Sequence, residues 1–73
     1  MSVTTHSANV KRPLRYRRPD GGMGNIPPGP CLVELSAAGL ALLIWGHEGQ
    51  FSAVMATDEL AHALLERDLQ LSD

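Results

Sequence analysis

The densest chemistry in the chain is a run of cations. Lys11, Arg12, Arg15, Arg17 and Arg18 fall within KRPLRYRR and make up five of the six basic residues. Side chains of this kind neutralise phosphates and release counterions, and Tyr16, between Arg15 and Arg17, offers a ring on which an exposed base could stack. An acidic protein surface would satisfy the same charges. Lys11, Arg12, Arg15, Tyr16, Arg17 and Arg18 are therefore the candidate residues for binding a phosphate or an acidic partner, DNA and RNA included. Elsewhere the chain has the opposite sign. Residues 1–30 carry five cations against Asp20, a balance of +4, while residues 31–73 carry Arg67 against seven acids, a balance of −6, so the formal charge of −2 hides the segregation.

The remaining reactive groups do not combine into a site. GGMGN (residues 21–25) lacks the Lys-Ser/Thr ending of a phosphate-cradling loop and reads as a hinge. His62 and Glu66 are one helical turn apart, with Glu59 a turn earlier, but two or three ligands on an open face hold a transition metal weakly. The same holds for His47-Glu48 in a turn. Cys31 follows a proline at the start of an apolar segment, which suits a small core residue better than an activated thiolate. With no nucleophile motif and little volume for a water-excluding pocket, the sequence points away from an enzyme, with no catalytic residue, metal or cofactor expected.

Composition then divides the chain. All five prolines lie between residues 13 and 30, with four of the seven glycines. Fixed φ, missing donors and a high ordering entropy predict a disordered or extended basic arm over residues 1–30, tethered to a small body over 31–73. A lone cysteine excludes an internal disulfide and implies a reducing, cytoplasmic setting. The basic stretch is not followed by the apolar run of a secretory signal, and Pro13 and Pro19 oppose the amphipathic helix of a transit peptide. Residues 31–45 are too short for a membrane span and contain Glu34 and Gly39.

Within the body, Cys31, Val33 and Leu35 alternate with Leu32, Glu34 and Ser36, as in a half-buried strand. Ala37-Ala38-Gly39 is a turn, Leu40–Trp45 is apolar on both faces, and Gly46–Gly49 connects to a strand in which Phe51, Ala53 and Met55 share a face. A single buried helix over 31–45 is the competing assignment, opposed by Gly39 at its centre, which would cost about 1 kcal/mol. Thr57-Asp58-Glu59 marks a helix start, with Leu60, Ala61, Leu64, Leu65 and Leu69 as the apolar face. The expected fold is α+β: a three-stranded antiparallel sheet followed by one C-terminal helix (β-β-β-α), preceded by the arm.

One helix covers only one face of such a sheet. The strand Leu40–Trp45 needs two covers, and a body of about 43 residues is short of core. A homodimer or a protein partner is expected to fill the gap, with Leu40, Leu42, Leu43, Ile44, Trp45 and Phe51 as interface candidates. The functional expectation is a small non-enzymatic interaction or regulatory module; the alternative is a nucleic-acid-binding protein carrying its basic arm on a dimeric body.

Overall fold

The computed structural model describes residues 4–72. In chain order the elements are β1 (Thr4–Val10), β2 (Leu14–Arg17), β3 (Met23–Ile26), β4 (Gly29–Leu35), β5 (Leu40–Trp45), β6 (Phe51–Ala56), α1 (Thr57–Leu65) and β7 (Leu69–Leu71). A five-stranded sheet has the order β6-β5-β4-β1-β7, and β2 pairs only with β3. Every pairing is antiparallel.

This architecture corrects the expected fold. The three strands anticipated in the body exist as β4, β5 and β6, but they form part of a five-stranded sheet, and a second, two-stranded sheet accompanies it. The supposed arm supplies β1, β2 and β3. β1 is an interior strand, paired with β4 on one side and β7 on the other. The outermost residues of the two expected segments, 1–3 and 73, lie outside the described residues.

Local physics accounts for the hairpin. Leu14 and Tyr16 alternate with Arg15 and Arg17, a period-two pattern that turns the first pair inward and leaves the arginines exposed. In the connection Arg18-Pro19-Asp20-Gly21-Gly22, proline pre-sets φ at the second position and Gly21 takes φ +90°. The Gly21 N–H donates to the Arg18 carbonyl (2.9 Å) and the Gly22 N–H to the Asp20 carboxylate (2.8 Å). Both bonds close the turn. Pro30 sits in the first two residues of β4, where a missing donor is tolerated.

The helix also departs from expectation at both ends. Ala56 occupies the N-cap, and Thr57 makes no side-chain cap; its N–H instead donates to the Gly39 carbonyl at 3.1 Å. At the other end the Asp68 N–H reaches the Ala63 carbonyl and the Arg67 N–H the Leu64 carbonyl, a Schellman closure with Arg67 in the left-handed region at φ 62°. Leu69 consequently belongs to β7 rather than to the helix face, and is buried there.

One core results. Ala8, Val10, Cys31, Val33, Ala41, Leu43, Ala53, Met55 and Leu69 point from the large sheet toward a second layer that contributes Leu14 and Ile26 from the hairpin and Leu60 and Ala63 from α1. Tyr16 joins this layer by resting on Gly24, where a Cβ would meet its ring at 2.7 Å. Trp45 receives the Tyr16 ring edge-on, with centroids 6.0 Å apart, and stacks on Phe51 at 5.9 Å. All three aromatic residues of the chain thus form one array. The centre of the inner sheet face is covered, while Phe51 and Leu71 at its margins are 49% and 41% exposed.

Candidate functional site

The outer face of the five-stranded sheet has no second layer. Register divides it into two halves. Toward β1 and β7 it is polar: Thr5, Ser7, Asn9 and Gln70 occupy outward positions, and the Asn9 side-chain amide donates to the Ser72 hydroxyl at 3.1 Å. Toward β4, β5 and β6 it is apolar. Leu32 lies opposite Ile44, Leu42 opposite Val54, and Leu40 opposite Ala56. Leu32, Leu40 and Val54 are 43%, 46% and 53% exposed, values far from those of core residues. Leu42 and Ile44 are half-buried between them. Glu34 is the sole ionisable side chain among the described outward positions of this sheet. Contiguous apolar side chains with a single charge among them, Glu34 opposite Leu42, are what an association surface offers.

The six interface candidates separate by strand parity. Leu40, Leu42 and Ile44 lie on the outer face, whereas Leu43 is fully buried in the core, and Trp45 and Phe51 pack on the inner side with Tyr16. Leu43 is corrected to a core residue. Leu32 and Val54 complete the patch, although sequence reasoning assigned neither to it. Their signal was present in the alternation of CLVELS and FSAVMA, whose second face had been given to solvent.

The cationic cluster is distributed rather than pooled. Arg12 holds the turn after α1, with Nε 2.6 Å from the Asp68 carboxylate and a guanidinium N–H donated to the Glu66 carbonyl at 2.8 Å. Arg18 lies 3.8 Å from Asp20. Tyr16 is engaged inward with Trp45 and is not presented for base stacking. Lys11, Arg15 and Arg17 are exposed and have no ion-pair partner among the described residues. Arg15 and Arg17 form one wall of an open groove of about 870 Å³, opposite Asp58, Glu59 and His62 of α1. Charges of both signs line it, so it has no single-sign field to attract a polyanion.

Chemistry at the other candidates is sparse. His62 and Glu66 are 3.8 Å apart on an exposed helix face, and no cluster of three metal-ligating side chains occurs among the described residues. Cys31 is buried beneath the sheet, and burial pushes its thiol pKa up from the ordinary value, which disfavours the nucleophilic thiolate. No helix among the described residues is long and apolar enough to cross a membrane. Comparison with known proteins identifies no matching family model, curated protein or solved structure.

Proposed function

We propose that this chain is a non-enzymatic interaction module that works as a homodimer, with two copies packed through the apolar half of the outer sheet face. The carrying observation is the uncovered group Leu32, Leu40, Leu42, Ile44 and Val54 on a face with a single ionisable residue. A second copy suits that face because it presents the same flat surface, apolar except for Glu34 opposite Leu42, and a two-fold axis brings Leu42 and Ile44 of both protomers to the centre. Sheets stack at about 10 Å with aligned strands, as in a sandwich.

The interior supports the same reading. Of the thirteen buried apolar residues four are alanines, and the fully buried large side chains are only Ile26, Leu43, Leu69 and Val33. A modest first core benefits from a second one formed on association. The apolar half comprises three strands about 4.8 Å apart and roughly 20 Å long, a patch of roughly 14 by 20 Å, below standard interfaces and in the range of weak, transient ones. Micromolar rather than permanent association follows. Dilution of labelled protein from millimolar to low micromolar concentration should move the amide resonances of β4, β5 and β6 while leaving the β2–β3 hairpin unchanged. Leu42→Asp should abolish that dependence and retain the folded spectrum. Resonances that ignore dilution in the wild type would remove the proposal.

Nucleic-acid binding is the second reading, supported by unpaired Arg15 and Arg17 on the exposed side of the hairpin. The three free cations of the basic cluster, Lys11, Arg15 and Arg17, predict a salt slope of roughly −2 to −3. Packing of outer faces would also direct the two hairpins to opposite sides of the dimer, away from a common duplex. A filter-binding or anisotropy titration at low salt that detects no DNA or RNA binding would exclude it.

A further inference from the structure

Arg67 occupies a backbone conformation that favours glycine, at the position of a Schellman closure where glycine is the usual residue. It is also one of two cations lining a pocket of about 720 Å³ formed by Lys11, Leu64, Arg67, Leu69, Gln70 and Leu71. Neither Lys11 nor Arg67 has an ion-pair partner among the described residues, although acidic side chains are close by. Asp68 is engaged by Arg12, and Glu66 faces His62. Several carbonyls at the helix end that would repel an anion are occupied: Ala63 and Leu64 accept from the closure, and Glu66 accepts from Arg12.

The floor and far wall have different chemistry. Leu64 and Leu71 supply apolar surface above the buried Leu69, and Leu71 is 41% exposed at the rim. Hydrogen bonds from the Lys11 N–H to the Asp68 carbonyl and from the Ser72 N–H to the Ser7 carbonyl set the ladder phase between β1 and β7. In that phase the backbone groups of Leu69 and Leu71 turn away from β1, toward an edge that no other strand occupies. Two cations, an amide side chain and the open backbone N–H and C=O groups of Leu69 and Leu71 thus border an aliphatic surface.

We infer that this pocket binds a single-headed amphipathic anion, a carboxylate or phosphate monoester carrying an aliphatic tail. Lys11 and Arg67 hold the head and Leu64 and Leu71 cover the tail. Arg67 places a guanidinium at the pocket in a left-handed conformation that glycine would adopt without strain.

Titration of the full chain by amide NMR tests this, using decanoate and decyl phosphate below their micelle thresholds at constant ionic strength. Acetate and decyltrimethylammonium serve as head-only and reversed-charge controls. Saturable binding of either anion, with shifts centred on Lys11, Gln70 and Leu71, is expected; which of the two binds tighter identifies the head group. Acetate and decyltrimethylammonium should each bind at least about tenfold more weakly. Arg67→Gly should raise the melting temperature while weakening the anion by about tenfold or more, and Lys11→Gln should weaken it similarly with the fold intact. Opposite movement of stability and affinity is not expected of a merely structural arginine. Unchanged affinity in both variants, equal binding of the cationic amphiphile, or shifts confined to the outer faces of β4, β5 and β6 would overturn the assignment.

Discussion

An alanine at position 24 would set its Cβ 2.7 Å from the Tyr16 ring. The ring cannot retreat freely because Trp45 stands edge-on behind it and Phe51 backs Trp45. Gly24→Ala should therefore cost about 1 to 3 kcal/mol in urea denaturation, by overpacking rather than backbone strain. Gly39→Ala meets no neighbour but imposes φ +79° on a side chain, so its cost of about 1 kcal/mol has the other origin. Pairing each change with Tyr16→Leu separates them: relief is expected for position 24 and none for position 39. Cys31 gives a pH-dependent check. Its folded pKa is raised by burial above the ordinary 9.0, so the unfolded chain loses the proton first as pH rises. Stability from this group is complete below pH 9 and declines above it. Wild type should lose more stability than Cys31→Ala between pH 7 and pH 10; equal losses would show that the thiol is not desolvated.

Among the elements, β1 has the largest structural consequence. It is hydrogen-bonded on both sides and carries Ala8 and Val10 into the core, so deletion of residues 1–10 should abolish cooperative unfolding and disperse the amide spectrum no further than a random coil. Arg12→Ala should cost about 1 kcal/mol because it releases both the Asp68 carboxylate and the Glu66 carbonyl, whereas Arg15→Ala and Arg17→Ala should stay within about 0.5 kcal/mol. The same elements show what was legible in advance. β4, β5 and β6 stood out because alternating or continuous apolar residues end at glycine turns. β1 did not, since Thr4–Val10 contains only Ala8 and Val10 as apolar residues and its partners are distant in sequence. In β2 the charge of the arginines obscures a period-two pattern, and GGMGN, which reads as a hinge, instead completes the turn and enters β3. The stop of α1 was hidden by Arg67, which stands where glycine would have announced it, so Leu69 was placed one element too early.

At the scale of the whole molecule, a small two-layer fold covers one face of its main sheet and leaves the other open. The open face was partly readable, because Leu40–Trp45 is apolar at every position and one helix can cover only one side. What composition could not assign was the cover of the inner face, which comes from the β2–β3 hairpin together with α1. That leaves Leu43 in the core with Trp45 packed against it, and restricts the proposed association surface to Leu32, Leu40, Leu42, Ile44 and Val54. Homodimerisation through this surface is the central claim, and sedimentation equilibrium of the wild type beside Ile44→Lys tests it most directly. The wild type should fit a reversible monomer–dimer equilibrium in the micromolar range, with Ile44→Lys monomeric throughout and still helical by circular dichroism. A wild type that remains monomeric at several hundred micromolar, or a dimer that Ile44→Lys leaves unchanged, would contradict the account.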